Sequence, residues 1–360
     1  VISDRFGRPA APAEPIPVTV LTGFLGAGKT TILNRLLAEG ALQGAALIVN
    51  EFGEVGLDGL LVEGAGEGVV ELNDGCVCCT VRGDLVDALL RLADRRPAPT
   101  RVLVETTGLA DPTPILAALA AHPELLARFR LDGVVCVVDA LAGPEHFAHR
   151  IEARRQTALA DRLVLTKADL ADPAPLLDAV REVNPDAPMV RAEAVTGAAI
   201  LDAGLRDPRT GRLDPDRWMG ADEARRHHHH HHDHAGAHGA VRSIALRHQG
   251  AMSGSDIEAF LQLVSAEPGL LRLKGLFRVA EDEARPLVVH GVRSYLHPPA
   301  SLPAWPEGSG RATRLVVIGE GLDERRLRDL FAAFCRAPRA DAPDRDALVD
   351  NPLSVAGMRF

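Results

Sequence analysis

Lys29 and Thr30 close the run Gly23-Phe24-Leu25-Gly26-Ala27-Gly28-Lys29-Thr30, a complete phosphate-binding loop. Its glycines let backbone N–H groups close around phosphate oxygens with no Cβ in the way, and a helix N-terminus adds partial positive charge. Gly23, Gly26, Ala27, Gly28, Lys29, Thr30 and Thr31 are the predicted cradle of a nucleoside triphosphate. Lys29 reaches the outer phosphates as a catalytic charge, and the Thr30 hydroxyl is of the kind that ligates Mg²⁺. Lysine is scarce: Lys29, Lys167 and Lys274 are the only three in the chain. Where Arg supplies almost all other positive charge, a remaining lysine points to a need for a compact charge on a flexible stem.

Two further motifs suit the same site. Glu105-Thr106-Thr107-Gly108 follows the apolar run Arg101–Val104. An acid at a strand end, with glycine close behind, fits the position that holds Mg²⁺ or its water and senses the γ-phosphate, which makes Glu105 catalytic and Gly108 nucleotide-binding. Thr166-Lys167-Ala168-Asp169 ends another apolar run. In GTPases an Asp at this place accepts from the guanine N1–H and exocyclic amine while the Lys stem stacks along the base, so Asp169 and Lys167 are the expected guanine contacts. Thr166 stands where Asn is commoner. The pattern favours GTP over ATP. No arginine finger or water-orienting Gln is evident, so intrinsic turnover is expected to be slow, about 10⁻⁴–10⁻² s⁻¹.

Cys76, Cys78 and Cys79 bring three sulfur ligands into four residues. Thiolates at that spacing suit a d¹⁰ or borderline metal ion. No fourth cysteine is near: Cys136 lies in an apolar strand and reads as core, and Cys335 lies in the last helix. A three-thiolate site keeps an exchangeable position. Glu51 and Glu54 are candidate contributors to it, and Glu51 also competes with Glu105 for Mg²⁺. Because the thiolates fall between the phosphate loop and Glu105, metal affinity and nucleotide state should be linked in both directions. His227 to His232, with His234 and His238, read as a metal-gathering arm or a solvated spacer.

The elements that must position these groups are legible from periodicity. Val18–Thr22, Ala45–Asn50, Arg101–Glu105, Gly133–Asp139, Arg162–Thr166 and Pro188–Arg191 read as strands. Between them lie helical patterns at Leu85–Leu92, Thr113–Ala120, Glu145–Leu159 and Pro175–Val183. That alternation implies an α/β fold with a mostly parallel, doubly wound sheet. Later strands at Val241–Arg247, Leu270–Val279, Pro286–Val292 and Arg314–Ile318, with helices at Ser255–Val264 and Asp323–Phe334, imply a smaller α+β domain. The expected division is a flexible 1–16, a nucleotide domain 17–206, a His-rich linker 207–240, a second domain 241–336 and a flexible tail 337–360.

The formal net charge of −9 over 360 residues argues against a general nucleic-acid binder. No apolar run approaches the roughly 18 residues a membrane span needs. The polar, Ala/Pro-rich start lacks an apolar signal core, and the clustered cysteines suit a reducing, cytoplasmic compartment. The sequence leaves the oligomeric state open and is compatible with a homodimer.

Together these motifs make the chain resemble the CobW family of P-loop GTPases, over roughly Pro17 to Phe334. Asn50-Glu51-Phe52-Gly53 and Leu270-Leu271-Arg272-Leu273-Lys274-Gly275 add to the likeness. The resemblance implies a GTP-dependent metallochaperone in which Cys76, Cys78 and Cys79 bind the metal and the C-terminal domain engages a client metalloprotein or controls the site. Zinc is its commonest guest. Cobalt delivery for corrin synthesis, a zinc buffer with a His-rich arm and a small-molecule kinase are the rival readings.

Overall fold

The computed structural model describes residues 14–50, 69–72, 80–201, 203–204, 241–305 and 310–335. β1 (Ile16–Gly23) is buried from Val18 onward. Its β-branched, apolar run suits a strand covered on both faces. It lies at the centre of a seven-stranded sheet ordered β3-β2-β4-β1-β5-β6-β7. The other members are β2 (Ala45–Asn50), β3 (Val69–Leu72), β4 (Arg101–Glu105), β5 (Phe129–Asp139), β6 (Arg162–Thr166) and β7 (Met189–Arg191). Every neighbouring pair is parallel.

Among the described residues the helices of this half are α1 (Lys29–Ala38), α2 (Thr80–Asp94), α3 (Thr113–Ala121), α4 (Pro123–Arg128), α5 (Gly143–His149), α6 (Ile151–Ala158), α7 (Ala174–Val183) and α8 (Gly197–Leu201). Alternate strand residues enter two cores, as a period of two requires. Val20, Ile48, Val104 and Val134 pack with Leu89 of α2 and Leu116 of α3. Leu21, Leu47, Leu103 and Val135 pack on the opposite face with Ile32, Leu33 and Leu36 of α1. The sheet is therefore doubly wound, as expected.

Three details depart from the sequence reading. The helical pattern over Glu145–Leu159 is two helices, because Arg150 is extended at φ −124°, ψ 111°. The break lets α5 bury Gly143 and Phe147 while α6 buries a separate set, Ala153, Gln156 and Thr157. β5 begins at Phe129 rather than Gly133, because it pairs with β1 from Ile16 onward, past an irregularity between Val18 and Thr19. The short β3, α4 and α8, and two-residue strands at Tyr295–Leu296 and Ala300–Ser301, were not anticipated.

The second sheet holds β8 (Val241–His248), β9 (Leu270–Val279), β10 (Asp282–Val292), β11 (Tyr295–Leu296), β12 (Ala300–Ser301) and β13 (Thr313–Glu320). It is antiparallel in the order β11-β10-β9-β13-β8, with β12 on β10. α9 (Gly254–Ser265) and α10 (Glu324–Phe334) cover one face, where Phe260, Val264 and Phe331 meet Leu273, Phe277 and Val317. Both helices start with a side-chain cap: Ser253 accepts from the Asp256 N–H, and Asp323 from the Arg326 N–H. The other face turns to the parallel half, and Val241, Leu271, Val292 and Ile318 join its core. α3 packs on β10, and α6 and α7 on β8. No helix among the described residues is long and apolar enough to cross a membrane.

Candidate nucleotide site

The phosphate loop joins the carboxyl end of β1 to α1. Gly23 adopts φ 145°, and a Cβ there would lie 2.4 Å from the Val137 carbonyl oxygen, so only glycine lets the loop leave the sheet at this point. Gly28, at φ 98°, is the N-cap of α1. Lys29 is buried, and its Nζ donates to the carbonyls of Gly23 at 2.9 Å and Phe24 at 3.4 Å. Thr30 is half-buried and Thr31 exposed in the first turn of α1.

Glu105, at the end of β4, is buried, and its Oε1 accepts from Thr30 Oγ1 at 3.2 Å. Thr30 and Glu105, two of the three groups the sequence offered for Mg²⁺ (Glu51 is the third), thus meet at one point, and their hard oxygens fit that ion. Beyond Glu105 the chain is held tightly. Thr106 Oγ1 donates to Thr22 Oγ1 at 2.8 Å, and a Cβ on Gly108 would lie 2.6 Å from the Leu25 nitrogen.

The segment after β6 reaches the same loop. Thr166 Oγ1 donates to the Ala27 carbonyl at 2.8 Å and lies 3.2 Å from that of Val138. Lys167 has a left-handed backbone, φ 55°, and its Nζ donates to the Gly26 carbonyl at 3.0 Å and to Asp139 Oδ2 at 2.5 Å. Asp169 is exposed, beside the site. Sequence reasoning passed over Asp139, the buried last residue of β5, whose Oδ1 also accepts from the Leu141 N–H at 2.8 Å. The available signal was an acid ending an apolar strand, the same one that singled out Glu105.

Cys76, Cys78, Cys79, Glu51, Glu54 and the histidines from His227 to His238 lie outside the described residues. Among the described residues no three His, Cys, Asp or Glu side chains gather to hold a metal ion. Cys136 is core, as its sequence context suggested; burial pushes its thiol up to about 12. Cys335 is the buried cap residue just after α10.

A second charged cluster lies at the opposite end of β6 from the phosphate loop. Asp161, immediately before β6, takes Arg272 Nη2 at 2.6 Å and Lys274 Nζ at 2.7 Å on a single oxygen, Oδ1, and all three side chains are buried. Its Oδ2 accepts from the Val134 N–H at 2.9 Å. Burial alone would push the Asp161 carboxyl up, but the two cations hold it below the usual carboxylate range. Burial also pushes Lys274 down to about 8, against the pull of Asp161. His290 and His297 stack beside them, ring centroids 4.0 Å apart. Burial holds His290 well below its ordinary value, and burial together with the Arg272 charge lowers His297 to about 4.

A phosphate loop after the central strand of a parallel sheet, with acids ending the neighbouring strands, defines a P-loop nucleoside-triphosphate-binding protein. Residues 17–191 match the CobW/HypB/UreG nucleotide-binding domain, and residues 241–335 the cobalamin synthesis protein cobW C-terminal domain. The chain is 34% identical to the zinc chaperone YjiA of Escherichia coli over 89% of its own length and 99% of that protein. It is 33% identical to the zinc chaperone CobW of a Sinorhizobium species over 89% and 97%. The crystal structure of Zn(II)-bound YjiA GTPase from E. coli superposes with a TM-score of 0.65 at 26% identity, covering 89% of this chain and 99% of that one. This chain belongs to the CobW family of P-loop GTPases.

Proposed function

We propose that the protein is a GTP-hydrolysing metallochaperone that carries Zn²⁺ and releases it to client metalloproteins. The whole-length similarity to proteins named zinc chaperones supports the cargo. The single observation that carries the chemistry is the meeting of Thr30 and Glu105 beside the phosphate loop. In this reading Lys29 leaves the Gly23 and Phe24 carbonyls to offset charge on the β- and γ-phosphates. Thr30 and Glu105 would hold Mg²⁺, which would supply positive charge beside the phosphate oxygens. Gly108 faces the γ-phosphate. Lys167 and Asp169 take the guanine, while Thr166 ties their segment to the loop. Cys76, Cys78 and Cys79 hold the cargo, with Glu51 a further ligand to it or to Mg²⁺.

The same reading divides the chain into a nucleotide domain over 17–206, a His-rich linker over 207–240 and a C-terminal domain over 241–336, working in the cytoplasm. Co²⁺ would suit the same thiolates, since ligand chemistry alone does not separate the two ions.

The test is a zinc titration against a chromogenic chelator in three states: no nucleotide, a non-hydrolysable GTP analogue, and GDP. At least a tenfold difference in affinity between the triphosphate and diphosphate states is expected, abolished in Lys29→Ala. Cys78→Ser should weaken zinc binding at least tenfold. Identical titrations in all three states would reduce the protein to a buffer.

A further inference from the structure

The loop between Glu105 and α3 is clamped from two sides, neither of which the phosphate chemistry requires. From beneath, Gln156 of α6, wholly buried, donates through Nε2 to the carbonyls of Gly108 at 3.1 Å and Ala110 at 3.0 Å. Two carbonyl acceptors oblige the amide nitrogen to face the loop, and this leaves the buried Oε1 with no partner among the described residues. From outside, Asp111 divides its two oxygens. Oδ1 accepts from the Thr113 N–H at 2.8 Å at the start of α3, and Oδ2 lies 3.6 Å from Arg293 Nη2.

Arg293 belongs to the second sheet, in the turn between β10 and β11, and its backbone is left-handed at φ 54°. It and Lys167 are the only non-glycine residues with positive φ among the described residues. Such a conformation is unfavourable for an L side chain with a Cβ, and residues held in it cluster at switch regions. The helix carrying Gln156 is gripped from the same domain: Arg155, its neighbour, pairs with Glu320 of β13 at 2.6 Å and 3.1 Å.

We propose that Gln156 is the positioning residue for GTP hydrolysis, and that the C-terminal domain sets the position of the Glu105–Asp111 loop through Arg293. Glutamine suits a clamp with two settings. Its Nε2 holds the two carbonyls, and its Oε1 is ready for an N–H if the loop's peptide planes turn. Because Gly108 lies directly against Leu25 of the phosphate loop, a small shift of the clamp moves the catalytic geometry, where errors near 1 Å matter. A client or metal that displaced the β10–β11 turn would then reach the phosphates without touching them.

This inference rests on the GTPase assignment and is tested on the full chain. Gln156→Glu, which keeps the shape but turns an acceptor toward the two carbonyls, should lower kcat for GTP at least tenfold with KM changed less than twofold. Arg293→Ala and Asp111→Asn, the latter keeping the helix acceptor, should each lower kcat about fivefold. The double variant should be no slower than the worse single, and Arg293→Lys should retain most of the rate. Amide exchange over residues 106–112 should rise in Gln156→Glu and Arg293→Ala, a readout that needs no turnover. An inert wild type would count against the GTPase assignment, whereas unchanged kcat and exchange in the Arg293 and Asp111 variants, or a multiplied loss in the double, would overturn the clamp. The surface pair decides the matter should Gln156→Glu not fold.

Discussion

Thr166 Oγ1 and the Ala27 carbonyl are 2.8 Å apart, a hydrogen bond that ties the segment after β6 to the phosphate loop across 139 positions of sequence. The threonine that departs from the commoner Asn still makes a contact that locks two walls of the pocket together. Thr166→Val, nearly the same shape without the hydroxyl, removes one buried hydrogen bond, about 1 kcal/mol. GTP and GDP should both bind about fivefold more weakly, as measured by displacement of a fluorescent analogue. Thr166→Asn should stay close to wild type.

Gly108→Ala would place a methyl group 2.6 Å from the backbone nitrogen of Leu25, where no side-chain rotation can relieve the clash. The loop must retreat from the phosphate loop. GTP affinity is expected to fall at least tenfold, about 1.4 kcal/mol, while GDP affinity falls less. Calorimetric titration with the two nucleotides checks it, and equal losses would argue against Gly108 facing the γ-phosphate.

The phosphate loop was legible because its chemistry is local: a β-branched strand, glycines at fixed spacing, then Lys29 and Thr30 opening an amphipathic helix. Thr166 and Glu105 were legible for the same reason, each ending an apolar run. Gln156 was not, because it lies mid-helix and its partners are backbone carbonyls 46 and 48 residues away. Nothing in the composition of α6 distinguishes it. The break at Arg150 escaped notice because neither Pro nor Gly marks it. Lys274 stood out by residue type, but its partner Asp161 became visible only once the two sheets were packed together.

Asp161→Asn would remove the buried carboxylate that Arg272 and Lys274 share. Breaking a buried pair from one side costs about 3–5 kcal/mol. Urea unfolding should show a loss of that order, whereas Arg155→Ala, which breaks the half-exposed pair with Glu320, should cost about 1 kcal/mol or less. Comparable losses would mean that the buried cluster is not what holds the halves together.

Acid should weaken the fold through the stacked histidines. His297 is lowered to about 4 and His290 is also depressed, so between roughly pH 6.5 and 4 the unfolded chain binds more protons than the folded one. Their contribution is complete above pH 6.5 and is lost as pH falls toward 4, by at most about 3 kcal/mol for His297. His297→Phe should flatten the decline in unfolding free energy across that window. An unchanged slope would show that His297 takes up its proton without opening the structure.

One oxygen of Asp161 serves two cations from the far sheet, in a seam whose apolar members, Val241, Leu271, Val292 and Ile318, belong to the core of the nucleotide half. Nicking the polypeptide between residues 204 and 241 would therefore not free two independent proteins; the fragments would stay clasped. Either piece expressed by itself would display a greasy, charged wound, and should clump in solution until its complement was added back.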